Sequence, residues 1–191
     1  AVPRLKEGVS TGMSNNNEMT PHQSDLLNKM ISSRDYFLLW GPPGTGKTSV
    51  MLKNLVKHLH ENTNENILLL AYTNRAVDEI CEAVMSIDDT YANKYLRIGS
   101  RLSTHEKFSP QLLDQQVKSL KTRHEILQLL REKRICVSTV SSITGKTDLF
   151  LLKEFDTVII DEASQILEPM LAGILSKFKR WILIGDHKQL P

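Results

Sequence analysis

Short apolar runs recur along this chain, and between them lie longer stretches in which apolar positions return every three or four residues. The runs are YFLLW (36–40), NILLLAY (66–72), a weaker YLRIG (95–99), RICVST (134–139), FDTVII (155–160) and RWILIG (180–185). Several are continuously hydrophobic, as strands buried on both faces are. The intervening stretches have helical periodicity. Leu26, Leu27, Met30 and Ile31 follow a Thr20-Pro21 start; Met51, Leu52, Leu55, Val56 and Leu59 form a second face, and Val77, Ile80, Cys81 and Val84 a third. Thr20 can cap a helix whose first turn accepts Pro21. Strands alternating with helices predict an α/β fold, a parallel sheet flanked by helices.

Two segments depart from the alternation. Residues 1–19, with STGMSNNNEM, are polar and rich in Gly, Asn and Ser, and read as a linker or N-terminal arm leading into a domain at 20–191. In 104–133, Leu113, Val117, Leu120, His124 and Leu127 recur at four-three spacing, which predicts one long inserted helix packed on the surface of the sheet domain. His124 on that face reads as a packed or edge residue rather than a ligand. No internal repeat is present.

Composition narrows the class without choosing a partner. A chain of 191 residues with 40% hydrophobic and 24% charged residues can bury one good core. Its longest apolar runs are far too short to span a bilayer and no signal peptide opens it, so no membrane partner is expected. Two cysteines, Cys81 and Cys136, lack metal-ligand spacing and suit a reducing intracellular compartment, cytoplasmic in a bacterium or nuclear in a eukaryote. The chain begins with Ala1 rather than Met, as an excised piece of a longer protein would. The net charge of +2 is uneven: 101–134 carries eight Lys/Arg against four acids, +4, which leaves −2 elsewhere. That segment reads equally as a solvated face or a nucleic-acid contact.

The loop after the first strand is GPPGTGKT (41–48), with Gly41, Pro42, Pro43, Gly44, Thr45, Gly46, Lys47 and Thr48. It fits the pattern Gly-x-x-x-x-Gly-Lys-Ser/Thr. Phosphate oxygens need backbone N–H groups that close around them, hence glycines where the loop approaches. They also need a cation, Lys47, and the accompanying Mg²⁺ needs a hydroxyl, Thr48. The helix that follows aims its N-terminus at the anion. ITGKTD (143–148) repeats Gly-Lys-Thr, but Val140 stands where the first glycine belongs and no clear helix with a buried face is expected after Thr147, so a second phosphate loop is rejected. FDTVIIDEASQ (155–165) carries Asp161 and Glu162 to the C-terminal end of an apolar strand, where ligands bind in open parallel sheets. Asp161 suits the magnesium ion, directly or through water, and Glu162 suits orienting or deprotonating the attacking water. The two motifs together predict a Mg²⁺-dependent nucleoside triphosphatase.

Three further stretches narrow the class. AYTNRAVDEI (71–80), DEASQ (161–165) and GDHKQLP (185–191) resemble motifs Ia, II and III of superfamily 1 helicases. The resemblance is to the branch of the replication nuclease-helicase and the nonsense-mediated-decay RNA helicase, and it runs from about Thr20 to Pro191. It implies a RecA-like motor domain that uses ATP. It implies that Gln23, 18 residues before Gly41, reads the adenine edge, that Gln165 ties motif II to its neighbours, that Gln189 reaches the γ-phosphate, and that Asp186 helps fix its turn. It implies that Thr73 and Asn74, then Ser138 and Thr139, contact the backbone of a single strand, although helix capping is the ordinary use of such residues. RIGS (97–100) resembles motif Ib less closely. The insert stands where this branch carries an accessory subdomain, but here it is short.

The resemblance also implies a second RecA-like domain, absent from this chain, that supplies arginine fingers and half of the strand groove. An arginine finger is worth ~10³–10⁵ in rate, so the chain alone is expected to bind MgATP weakly and turn it over very slowly. The expected parent activity is an ATP-dependent 5′–3′ DNA helicase or translocase on single-stranded DNA. DNA is favoured over RNA by the closer likeness of AYTNRAVDEI and DEASQ to the replication type. An RNA helicase of the same branch, and an AAA+ protein-remodelling ATPase with a polar Asn sensor, are the alternatives.

Overall fold

The computed structural model describes residues 19–42 and 44–186. All the predicted strands form: β1 (Tyr36–Trp40), β2 (Ile67–Ala71), β3 (Tyr95–Ile98), β4 (Ile135–Thr139), β5 (Thr157–Ile160) and β6 (Arg180–Gly185). They make one six-stranded sheet in the order β1-β6-β5-β2-β4-β3, every pair parallel. Parallel pairing puts all six C-terminal ends on one edge, where the loops carrying Gly41, Thr73, Gly99, Thr139, Asp161 and Asp186 gather.

Helices α1 (Pro21–Ser32), α2 (Lys53–Asn62) and α3 (Asn74–Met85) cover one face of the sheet. Helices α5 (Arg123–Glu132), α6 (Val140–Thr144), α7 (Thr147–Leu152) and α8 (Glu168–Leu175) cover the other; α4 (Leu113–Gln116) is a single turn within the insert. Side chains of β2 divide between the two cores, Ile67, Leu69 and Ala71 to the first and Leu68 and Leu70 to the second, as a doubly covered strand requires. β1 corrects that expectation. It reads as equally buried, yet it forms the edge of the described sheet, and Tyr36, Leu38 and Trp40 are exposed at 50, 60 and 70%. Tyr36 instead stacks on Trp181 of the neighbouring strand, ring centroids 5.0 Å apart.

Helix α1 starts where the sequence predicts, on a reciprocal cap. Thr20 Oγ1 accepts from Gln23 N–H at 3.2 Å, and Gln23 Oε1 accepts from Thr20 N–H at 2.9 Å. Of the N-terminal arm only Met19 lies among the described residues, and it packs on the first core. The insert is not one long helix. Short 3₁₀ segments at Glu106–Gln111 and Val117–Ser119 flank α4 before α5 begins. Pro110 and the extended backbone of Leu112 and Leu120 break the helix, and Thr122 starts a new one with Glu125 in a second reciprocal cap. Of the two places expected for His124, packed or at an edge, it is not packed: it is exposed.

Arg97, on β3, fastens the insert to α3. Its side chain is 1% exposed; Nη1 donates to Asp78 Oδ1 at 2.5 Å and Nε to Thr104 Oγ1 at 2.9 Å. Breaking a buried pair strands the remaining charge, although Asp78 keeps some contact with water. Arg97→Ala should therefore cost about 2–3 kcal/mol, less than a fully enclosed pair. Urea denaturation of the two proteins measures it, and a loss under about 0.5 kcal/mol, the range of a plain surface substitution, would contradict it.

Candidate active site

The loop after β1 closes on itself through its own polar groups. Gly44 and Gly46 sit at φ +78° and +77°, a conformation that strains any residue with a Cβ. A Cβ at Gly46 would also meet Val50 Cγ2 at 3.1 Å. Thr45 Oγ1 donates to Pro42 O at 2.8 Å, and Lys47 Nζ donates to Gly41 O at 2.5 Å and Pro42 O at 2.8 Å. The lysine thus bridges the loop's own carbonyls, where an incoming phosphate would compete for it. Pro43 lies outside the described residues.

The helix after the loop does not start as an ordinary α-helix. Lys47–Leu52 is wound as a π-helix, with Val50 and Met51 both donating to Gly46 O at 2.9 Å, and only then does α2 run on. The glycine carbonyl at the helix start takes both bonds. Gln23 reaches the same loop from α1: its Nε2 donates to Thr45 O at 3.2 Å while its Oε1 serves the α1 cap. The amide that the resemblance assigns to adenine therefore docks α1 on the phosphate loop in this structure.

Across the sheet, Thr48 Oγ1 donates to Asp161 Oδ2, joining residues 113 apart in the chain. Asp161 is 3% exposed, and its Oδ1 accepts from Glu162 N–H at 2.9 Å. Burial pushes the Asp161 carboxyl above its ordinary range, opposed by the Thr48 hydroxyl and the Glu162 amide. Burial and then the Asp161 charge raise Glu162 as well. Glu162 is the one non-glycine described residue at positive φ, +53°, so the backbone turns sharply to present its side chain. Gly185 closes the floor: its carbonyl accepts from Gly41 N–H at 3.3 Å, and a Cβ there would meet Ser164 N at 3.4 Å. The result is a cavity of about 490 Å³ walled by the phosphate loop, Thr48, Asp161, Glu162 and Asp186. The hydroxyl and carboxylate already in contact are hard oxygen donors of the kind Mg²⁺ takes, so these residues fit that ion.

Helix α3 closes the remaining side with Glu79 and Glu82, which the sequence did not single out. Both sit on the polar side of a helix recognised by its apolar stripe. Their approach to Asp161 follows from β2 and β5 being neighbours, which no local pattern encodes. Gln165 ends the 3₁₀ turn after Glu162, half-buried and away from the cavity wall. Gln189 lies outside the described residues. Asp186 is buried at the cavity floor.

The strand-contact candidates divide. Thr73 caps α3, accepting from Ala76 N–H at 3.1 Å, and Thr73 and Asn74 are exposed at the end of β2. Ser138 is a correction: it is fully buried inside the sheet and its hydroxyl donates to Ile98 O at 2.9 Å, so it cannot touch a strand from there. Thr139 is 4% exposed and caps α6 through Ser142 N–H at 3.1 Å. The residue open to solvent on that turn is Ser141. The second Gly-Lys-Thr is no phosphate loop, for a reason beyond spacing. Residues Val140–Thr144 before it are helical and Gly145 has φ −78°. A short helix with Leu149 buried does follow it, contrary to expectation.

Fold and site together define a phosphate-loop nucleoside triphosphatase domain of RecA-like architecture. The AAA_11 family model, described as an AAA domain, matches residues 18–128 and 118–191, and the chain belongs to this family. Over 192 residues it is 32% identical to the DNA replication ATP-dependent helicase/nuclease DNA2 of Gallus gallus, covering 99% of this chain and 18% of that protein. The Homo sapiens protein of the same name is 34% identical over 172 residues, covering 88% and 15%. The chain therefore spans under a fifth of the length of these relatives. Among solved structures, the UvsW helicase from bacteriophage T4 superposes with a TM-score of 0.64 at 15% identity, over 89% of this chain and 53% of that one. The Pyrococcus furiosus Hef helicase domain gives 0.53 at 16%, over 86% and 31%; both likenesses concern the fold.

The raised Asp161 carboxyl has a consequence for stability. The folded protein holds that proton more tightly than the unfolded chain, so at neutral pH the ionised Asp161 opposes folding, and the opposition fades as pH falls through the folded-state pKa. Asp161→Asn should raise the melting temperature of the nucleotide-free protein at pH 7, with a smaller gain in acid. Thermal melts at the two pH values decide it; a lower melting temperature at pH 7 would contradict the argument.

Proposed function

We propose that this chain is the ATP-binding motor domain of an ATP-dependent helicase or translocase that moves 5′–3′ on single-stranded DNA. The observation that carries the reading is the contact of Thr48 with Asp161, which unites the phosphate loop and the acidic strand end in one cavity. The relatives described as DNA replication helicase/nucleases support DNA over RNA. The polarity comes from the sequence resemblance.

The residues divide the work. Backbone N–H groups of Gly44 to Thr48 and the N-terminus of the following helix hold the phosphates, and Lys47 exchanges its loop carbonyls for phosphate oxygens. Thr48 and Asp161 would hold Mg²⁺, which supplies neutralisation of phosphate charge when bound. Glu162 receives the proton of the attacking water; burial and the Asp161 charge keep it a stronger base than a free carboxylate. Gln189 is assigned the γ-phosphate and Gln23 the adenine edge, the latter by releasing its bond to the loop. Thr73 and Asn74 meet the strand at the head of α3, with Thr139 behind them.

Lys47 is the only cation among the described residues lining the cavity. A second RecA-like domain contributing arginine completes the site in this reading, and the protein acts on DNA inside the cell. Steady-state ATP hydrolysis by the isolated chain, with and without a single-stranded DNA oligomer, should be close to background, and joining it to a second domain should raise the rate ~10³–10⁵-fold. Fast turnover by a monomer of this chain alone would overturn the half-site reading. Stimulation by a matched RNA oligomer in preference to DNA would select the RNA helicase alternative. In the joined protein, Glu162→Gln should keep nucleotide binding and lower turnover ~10²–10⁴-fold; unchanged turnover would remove Glu162 from its role.

A further inference from the structure

Helix α1 has its head at the phosphate loop and its tail at the opposite edge of the sheet, where β6 begins. Leu27 and Met30 pack its apolar side into the first core. Two side chains tie it by hydrogen bonds to the rest of the described residues, one at each end. At the head, Gln23 Nε2 donates to Thr45 O at 3.2 Å. At the tail, Arg180 Nη2 donates to Met30 O at 2.8 Å and Ile31 O at 3.2 Å. These are two of the carbonyls that a helix end leaves without an intrahelical partner.

Arg180 is itself held. Its Nη1 donates to Glu65 Oε1 at 3.3 Å and Oε2 at 3.4 Å, and Glu65 Oε2 accepts from Thr157 Oγ1 at 2.6 Å. The tail of α1 is thereby fastened to the first residues of β6 and β5, which are paired neighbours in the sheet. A guanidinium in this place is costly. Arg180 is 8% exposed, and its buried Nε meets no partner among the described residues. An apolar side chain of similar volume avoids the desolvation, and such replacements are commonly neutral or stabilising. What it lacks is direction: a planar fork bound at once to α1 and to Glu65 fixes where the helix tail lies.

We propose that Arg180 is a positioning residue for base recognition: by fixing the tail of α1 it holds Gln23 in register with the purine edge, and so sets the preference of the site for adenine nucleotides. This rests on the adenine assignment of Gln23 above. An amide suits adenine, donating to N7 and accepting from the N6 amine, and meets an acceptor, O6, in guanine. When Gln23 exchanges Thr45 O for the base, α1 gives up its bond at the head, and Arg180 is its remaining hydrogen-bonded tie to the described sheet. Gln23 and Met30 stand about 10 Å apart along the helix axis. A slight tilt at the tail therefore displaces the amide by an appreciable part of a hydrogen-bond length. The phosphate contacts come from the loop and the helix after it, so they do not depend on how α1 is tilted.

The test is displacement of a fluorescent ATP analogue from this chain, in Mg²⁺, by ATP, GTP and inorganic tripolyphosphate. Wild-type protein should bind ATP about 3–10-fold more tightly than GTP, the worth of about one hydrogen bond. Arg180→Met should lower ATP affinity about 3–10-fold, bring the ratio of ATP to GTP affinity to about 1 and leave tripolyphosphate affinity unchanged. Gln23→Ala should do the same, and adding Arg180→Met to it should weaken ATP no further. Arg180→Lys keeps the charge without the fork and should shift the ratio in the same direction. It carries the test where circular dichroism finds the methionine variant unfolded. ATP and tripolyphosphate affinities that fall together overturn the proposal, as a general loosening of the fold. Additive losses in the double variant overturn it too, since Arg180 then acts apart from Gln23. An ATP preference that survives in the folded Arg180 variants overturns the positioning role alone, whereas wild-type protein with no ATP preference overturns the adenine assignment of Gln23 and the positioning role with it.

Discussion

The chemistry of this protein depends on β1, β6 and β5 lying side by side and parallel. That register carries the phosphate loop, Asp186 and the acidic pair to one edge of the sheet, so that Thr48 can meet Asp161. Antiparallel placement of any one strand would send its loop to the opposite edge. The same geometry brings Gly185 to the cavity floor beside Ser164, where a Cβ would stand in van der Waals contact with it. The phosphate loop, the carboxylates and the floor are thus one construction held by backbone pairing.

The site runs against stability at several points. Asp161 is a carboxylate held almost out of water, Glu162 occupies a backbone region that side chains avoid, and Gly44 and Gly46 adopt turns only glycine takes easily. A fold optimised for stability would have none of these. The two hydrophobic cores absorb the cost, with β2, β4 and β5 buried on both faces. Local strain is thus confined to one edge of an otherwise well-packed fold, where strained backbone clusters at functional sites.

Helix α3 joins the parts. Its apolar stripe seats it on the first core, Arg97 and Asp78 fasten it to β3 and the insert, its capped end carries the exposed Thr73 and Asn74, and its middle walls the cavity.

Local pattern carried much of this protein. Apolar runs marked the strands, most continuously at the doubly covered β2, which has no polar face to interrupt the run. Thr20-Pro21 marked a helix start, because capping is settled within one turn. GPPGTGKT and the Asp161-Glu162 pair stood out because phosphate and metal chemistry demand particular residues at fixed spacing. What depends on neighbours in space was not legible. The exposure of β1 follows from its place at the edge of the described sheet, and the burial of Ser138 from its place inside it. The insert kept a helical period although Pro110 and Thr122 break it, signals that were readable but outweighed by the repeat of leucines. Glu79 and Glu82 became part of the nucleotide wall only once β2 and β5 paired. The sequence by itself determined the strands, the helix starts and the phosphate chemistry, because each is a local property of the chain. The order of the strands, and with it which side chains share the cavity, was decided by tertiary packing, because contacts between residues a hundred positions apart leave no periodic trace.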